Sequence, residues 1–367
     1  MTDQYDYQTM SQKVEERAWV LVDQLLDNPD AKKNISEQLN EIISELGSMD
    51  SSSERDANYA SIANLLSGDI NVDSLIVLLS KISKDSLSAS AAGKSAYKRY
   101  KAGDIKGNGV LLQYGVSRIM NIDDQTVQVS VLIEYAEKIQ AYGQNYQPYA
   151  NNALEIAKER VSEQWGIERF IEIAEIHQKA GQLDKSRMLL DMLPQHITNI
   201  ENSFERDNLL HKLAEGYIQT RTYDHVLNIA RRFSPEGSSL SLRLLAQETL
   251  KQDEYQASGR LISLIKEPKM RFLALESWMS KATNANDLEK MNQAAIEVKR
   301  LSPTLNPGRD RFEGYMLLTR YYLKIKDKDN AKEYVELTSN EVDSIGSDLK
   351  EMYEERVQSL NGVIGMW

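Results

Sequence analysis

The sequence predicts an all-α chain built as a row of helix–turn–helix repeats, and three observations lead there. A fixed set of apolar and small residues recurs at the same offsets through the second half of the chain. Apolar residues fall three and four apart, the spacing of one helix face. Only 7 prolines and 7% aromatic residues in 367 suit helices and suit a β-rich sandwich poorly. Four regions are expected: an acidic helical head at 1–90, less regular helical pairs at 91–165, clear repeats at 166–341, and a capping helix with an apolar tail at 342–367.

From the N-terminus, residues 1–90 hold 7 Lys/Arg against 16 Asp/Glu, a net of −9 in a chain of net −11. Asn28 before Pro29 marks one helix end and a new start, and Gly47 closes the second helix. "SSSERDANYASIANLLSGD" opens on serine caps and stops at Gly68, and "VDSLIVLLSKIS" follows. "DSLSASAAGKS" is the most linker-like stretch. A phosphate loop there needs glycine at the position of Ser88 and a buried strand before it, so Gly93-Lys94-Ser95 reads as a small-residue helix start. Residues 91–106 form a basic collar of net +4 (Lys94, Lys98, Arg99, Lys101, Lys106 and Asp104) with Tyr97 and Tyr100 between. A solvated helix face is its default reading. An anion site is an alternative, and so is pairing with the acidic head of this chain or another copy, a route to a homodimer. "NIDDQTV" lacks the third carboxylate of a metal box, because Val127 stands there; Asp123 and Asp124 suit a helix N-terminus. Residues 126–139 alternate briefly like a strand, but Val131, Tyr135, Ala136 and Ile139 keep helical spacing.

The repeats come next. Around Ala174 stand Phe170, Ile173, His177, Ser186 and Leu190: four before, one before, and three, twelve and sixteen after. The same offsets from Ala214 give Leu210, Leu213, Tyr217, Val226 and Ala230. From Ala246 they give Leu242, Leu245, Thr249, Ser258 and Ile262. From Thr319 they give Tyr315, Leu318, Tyr322, Ala331 and Val335. A poorer fifth copy is centred near Glu276, with Phe272, Leu275, Met279 and Leu288, so the units lie 40, 32, 30 and 43 residues apart. One hairpin cannot bury both its apolar stripes, so stacked units share a continuous core. The helix at 343–361 puts Leu349, Met352, Tyr353, Val357 and Leu360 on one face as a lid. Val363, Ile364, Met366 and Trp367 then fold back, the other reading being an apolar hook for a partner.

This pattern resembles the tetratricopeptide repeat, W-x2-L-G-x2-Y…A-x3-F…P over a 34-residue helix–turn–helix. The resemblance covers roughly 166–341, about half the chain. No unit keeps glycine at the small position or the full Trp–Leu–Gly–Tyr set. It implies a right-handed α-α superhelix, a solenoid of helical hairpins, and a near-column of helix-end lysines fits it: Lys179, Gln219, Lys251, Lys281 and Lys324. Cations at helix C-termini meet partial negative charge there, which accounts for them better than an anion ladder does.

The sequence displays no chemistry of reaction. With no cysteine, no G-x-S-x-G and no HExxH, nucleophilic and zinc-dependent catalysis have no foothold. His177 holds a core position, and a metal site of His211 and His225 needs Glu215 or Asp224 to join them. No cofactor is expected. The expected function is that of a non-enzymatic scaffold, adaptor or chaperone-like binder holding a protein or peptide partner in a concave groove, the alternative being a small-ligand or signal-sensing regulator. First-helix positions assigned to the groove are Glu168, Glu175, Gln178, Asn208, His211, Glu215, Arg243, Gln247, Ser277 and Arg320. Their mixed polarity suits an extended peptide. Tyr142, Tyr146 and Tyr149 of "AYGQNYQPYA" are a further candidate surface, against a turn packed under its own side chains. No broad basic face for nucleic acid and no membrane-spanning run are present. The first residues lack the features of a secretory signal, so a cytoplasmic protein is expected, or a periplasmic one if a signal has been removed.

Overall fold

The computed structural model describes Val20 and residues 32–49, 51–235 and 237–366. Every element among them is helical. The chain forms two compact units, residues 1–186 and 187–367. The expected helix break at Asn28–Pro29, residues 1–19, 21–31 and 50 of the acidic head, and Trp367 lie outside the described residues.

The first unit runs through α1 (Lys32–Gly47), α2 (Ser52–Leu66), α3 (Val72–Ser80), α4 (Asp85–Lys101), α5 (Ile105–Ile119), α6 (Gln125–Ala141), α7 (Gln147–Lys158) and α8 (Gln164–Lys179). The boundary falls within α9 (Leu183–Asp191). The second unit continues with α10 (Pro194–Thr198), α11 (Ser203–Gln219), α12 (Tyr223–Ala230), α13 (Ser238–Lys251), α14 (Tyr255–Leu264), α15 (Pro268–Asn284), α16 (Leu288–Leu301), α17 (Arg309–Lys324), α18 (Lys328–Val342) and α19 (Ser347–Gly365). In each unit a first helix packs on its own second helix and on the next first helix. The rows of first helices are α2, α4, α6, α8 and then α11, α13, α15, α17. The helix-pair repeat implied by the resemblance is what the structure contains.

One turn recurs between first and second helices, and it explains the register. Gly103, Gly143, Gly181, Arg221, Asp253, Asn286 and Lys326 all have φ between 54° and 83°. The residue after each sends its N–H back five positions, as in Asp104 to Arg99 (2.9 Å), Gln182 to His177 (2.8 Å) and Asp287 to Ala282 (2.9 Å). This bond satisfies a helix-end carbonyl in the manner of a Schellman cap. In three of the turns the next residue is an aspartate that caps the second helix: Asp104 accepts from Gly107, Asp287 from Lys290 and Asp327 from Asn330. Each such turn thus needs only one left-handed residue between two helices.

That geometry corrects the fifth repeat. The left-handed residue lies seven after the small reference residue at Ala174, Ala214, Ala246 and Thr319, so Asn286 places the reference at Met279, three later than expected. Its partners are then Leu275, Trp278, Ala282, Met291 and Ala295, all buried, whereas Leu288 is 53% exposed. The error arose because a methionine fills a slot that small residues hold elsewhere. The turn "KATNANDL" is not longer than the others.

The same register runs upstream to Ala136, Ala96 and Ala63. Around Ala63, the residues Tyr59, Ile62, Leu66, Leu75 and Leu79 are all buried. Around Ala96 the core positions are Ala92, Ser95, Arg99, Asn108 and Leu112. The polar members bond inward: Asn108 donates to the Ala96 carbonyl (3.0 Å), and Arg99 bonds Asp104 (2.7 Å) and the Ile70 carbonyl. "DSLSASAAGKS" is the buried first part of α4, not a linker, and Gly93 lies inside the helix rather than at its start. Its small residues admit Tyr135 of α6. A Cβ at Gly93 would stand 3.0 Å from that ring and one at Gly115 only 1.7 Å from its hydroxyl, which donates to the Ala89 carbonyl at 2.5 Å.

Two further clasps join successive repeats. In α2, Asp56 accepts from the backbone N–H (3.0 Å) and hydroxyl (2.5 Å) of Ser83 and from the Lys84 N–H (3.0 Å), just before α4. In α11, Asp207 accepts from the Ser234 N–H at 3.1 Å and from its hydroxyl, just before α13. Both aspartates are buried and both end the tripeptide Glu-Arg-Asp. The preceding Arg55 and Arg206 each reach a carbonyl six residues back.

At the C-terminus Tyr353, Val357 and Ile364 of α19 join a core with Phe312, Met316, Ala331 and Val335. Leu349 and Met352, expected on that face, are 40% and 46% exposed. The supposed tail is helical to Gly365, with Ile364 buried and Val363 and Met366 at the surface.

Candidate functional site

The outward faces of α11, α13, α15 and α17 in the second unit carry two adjoining recesses. The larger, about 660 Å³, lies along α15 and α17 and is lined by residues that include Glu276, Ser280, Asn284, Leu317, Arg320 and Lys324. The smaller, about 450 Å³, spans α11, α13 and α15 and includes His211, Glu215, Leu244, Gln247, Glu248 and Lys251. Ser277 and Lys281 line both, so the two form one groove across four consecutive first helices. The cause is the repeat itself: residues three and four apart on each first helix face outward together.

Polar groups along the groove are largely tied to one another. Gln247 donates to the Ser277 hydroxyl (2.8 Å) and Gln219 to Glu248 (3.4 Å). His211 lies 3.4 Å from Glu215, Lys251 2.6 Å from Glu248 and Lys281 2.8 Å from Asp253. The His211 contact is the main cause of the lowered Glu215 pKa, outweighing burial. Burial raises the Glu276 carboxyl, the Glu313 charge adds to that, and Arg320 opposes it. Glu313 itself is held by Arg356 through two bonds of 2.6 and 2.8 Å.

Of the expected groove residues, the structure brings His211, Glu215, Gln247, Ser277 and Arg320 to this groove. Asn208 and Arg243 are on the same helices but line neither recess, and the Arg243 Nε is buried without a hydrogen-bond partner. Glu168, Glu175 and Gln178 belong to α8 of the first unit, where Gln164 donates to Glu168 (3.4 Å) and Gln178 to Ser186 (2.9 Å). Sequence reasoning missed Leu244, Glu248, Ser280, Leu317 and Lys324. Continuing the i, i+4 series from Leu240, Gln247 and Arg320 reaches Leu244, Lys251 and Lys324.

The tyrosine surface is a correction. Tyr142 and Tyr146 are buried and Tyr149 is half-buried. Tyr142 stacks on Tyr97 and Tyr100 at 5.0 and 5.1 Å, Tyr146 bonds the buried His177 Nδ1 at 2.8 Å, and Tyr149 tilts against Tyr135. They are the turn packed under its own rings, because their helical spacing turns them inward. In the basic collar, Arg99 is buried and Lys98 donates to the Asn64 carbonyl (2.6 Å), leaving Lys94, Lys101 and Lys106 exposed. Of the helix-end lysines, Lys179 pairs with Glu137 (3.1 Å) and Lys251 with Glu248, whereas Lys324 makes no ion pair among the described residues. Lys281 sits a turn earlier than the column requires, with Asn284 in its place. His225 lies by Asp191 (3.8 Å) and stacks on Tyr217, in a different recess from His211. Among the described residues no group of three His, Asp or Glu is placed to hold a metal, and no helix is long and apolar enough to cross a membrane.

No family model and no curated protein matches the chain. Among solved structures it is similar to a circular tandem repeat protein with novel repeat topology and enhanced subunit contact surfaces. That match has 11% identity and a TM-score of 0.40, covering 98% of this chain and 96% of that one. A Rap protein complexed with competence and sporulation factor matches at 11% identity and a TM-score of 0.32, covering 94% and 99%. A signal transduction ATPase with a tetratricopeptide repeat sensor, PH0952 from Pyrococcus horikoshii, matches at 11% and 0.33, covering 90% of this chain and 55% of its own. At these TM-scores the likenesses carry no argument about what this chain binds, and the helix pairing stands on its own geometry.

Proposed function

We propose that this chain is a non-enzymatic binder, an adaptor or chaperone-like scaffold, that holds an extended segment of a protein partner along the first-helix groove of its second unit. The observation supporting this is the continuity of the two recesses over α11, α13, α15 and α17. A groove crossing four repeats suits a chain better than a compact ligand. Its lining alternates apolar Leu244 and Leu317 with amide, hydroxyl and charged groups, which suits main-chain hydrogen bonding with side-chain pockets between.

The test is co-purification from the native source with quantitative mass identification, comparing the wild type with Leu244→Asp, Ser280→Trp and Ile296→Asp. Leu244 and Ser280 line the groove, whereas Ile296 is 59% exposed on the second helix α16. Loss of the same protein with the first two variants only, at unchanged melting temperature, supports the proposal. Retention by all three overturns it. A thermal-shift rise with a metabolite, and none with any peptide, favours the small-ligand reading instead.

A further inference from the structure

We infer that the segment held in this groove carries an acidic side chain, seated on Arg320 and Lys324 at the α15–α17 end, with an apolar side chain lying against Leu244 at the α11–α13 end. The inference rests on the groove reading above and adds the chemistry of the occupant.

The charge balance along the groove points to it. In the smaller recess the basic side chains are already matched: His211 lies by Glu215 and Lys251 by Glu248. Lys281, shared by both recesses, is held by Asp253 and by the Leu250 carbonyl. In the larger recess Arg320 and Lys324 are both exposed, and among the described residues neither makes an ion pair. The one carboxylate lining that recess is Glu276; burial together with Glu313 disfavours its charged form and outweighs the opposing pull of Arg320.

Arg320 and Lys324 also stand one turn apart on the same face of α17. Like charges at that spacing disfavour a helix, so the pair is a local conflict that an anionic occupant relieves. Two cations spread about 6 Å along the helix axis suit carboxylates within a run of chain rather than a single terminal group. At the other end Leu244 is 41% exposed with Gln247 and Ser277 bonded beside it, an apolar platform with a satisfied polar border.

The probe is a positional library of nonapeptides, N-acetylated and C-amidated so that no terminal carboxylate exists, panned on the full chain. The expected result is enrichment of Asp or Glu at one or two adjacent positions, with Leu, Ile, Met or Phe favoured several positions away. Combining Arg320→Glu with Lys324→Glu should abolish the acidic preference, lowering capture of the winning peptide about tenfold or more, with the effect weakening as salt rises. Arg320→Gln, which removes charge without reversing it, should give a smaller drop in the same direction. If peptides are captured without acidic enrichment, or the enrichment survives the double variant, this inference falls and the groove reading stands. If only the free-acid form of the library is captured, a terminal carboxylate is the ligand and the inference falls. If nothing is captured, or capture is unchanged by Ser280→Trp, both fall. Displacement of the winning peptide by an equal concentration of oligo-dT overturns it too, because the cations then serve any polyanion.

Discussion

Replacing Asp56 with alanine removes the clasp between α2 and the start of α4, and the size of the effect follows from its geometry. The carboxylate accepts three donors, the N–H and hydroxyl of Ser83 and the N–H of Lys84, at 2.5–3.0 Å. Hydrogen bonds to a charged group contribute about 1.5–3 kcal/mol. Ser83 and Lys84 are themselves exposed, so water can replace part of what they lose. The expected loss is therefore about 2–3 kcal/mol for Asp56→Ala. It is about 1–2 for Asp56→Asn, which keeps one acceptor oxygen, and about 1 for Ser83→Ala. Burial alone would raise the Asp56 pKa, but the bonds from Ser83 and Lys84 together outweigh it and hold the carboxyl below its usual value. A carboxyl with a lowered folded pKa stabilises the fold above its unfolded pKa, near 3.9, and that stability is lost as pH falls through the folded value. Urea unfolding followed by circular dichroism at pH 7 and again near pH 3 checks both points. A change below about 0.5 kcal/mol at pH 7, or an equal change at both pH values, refutes the reasoning.

Other consequences can be checked by the same denaturation assay. Met279→Asp buries a charge at a repeat core and should cost about 3 kcal/mol or more, while Leu288→Asp on the surface should cost under about 0.5; the reverse order would restore the earlier register. Gly181→Ala should destabilise by about 0.5–1.5 kcal/mol, the left-handed penalty less the unfolded-state entropy that alanine saves, and Lys326→Gly should change stability in the opposite direction. Burial first, and Lys185 second, lowers the His177 pKa against its bond to Gln182, with Tyr146 at its Nδ1. Because the folded state then binds its proton less readily than the unfolded one, stability should fall as pH drops below about 6.5, and His177→Gln should flatten that slope.

The helix-pair architecture was legible in the sequence because small and apolar residues keep their offsets across Ala174, Ala214, Ala246 and Thr319. What escaped were places where the core is built from other materials. Arg99 and Asn108 hold core positions by bonding inward, which breaks the apolar pattern of the α4–α5 pair at those offsets. The run of Ser, Ala and Gly in α4 resembles a linker in composition, yet it is small because Tyr135 must fit against it. Four of the seven left-handed turn residues are not glycine, which hid the best marker of register. The lining of the two recesses was half legible: helical periodicity says which residues share a face, and Gln247 and Arg320 lie there. Periodicity alone does not say whether a tyrosine at that spacing points out or in, and Tyr142 and Tyr146 point in.

The groove is tested most directly by site-specific photo-cross-linking in the native source, with benzoylphenylalanine placed in turn at Leu244 and at Ile296. A partner held along the first helices should cross-link from Leu244 and be absent from Ile296. Cross-links to the same protein from Ile296 alone would contradict the account.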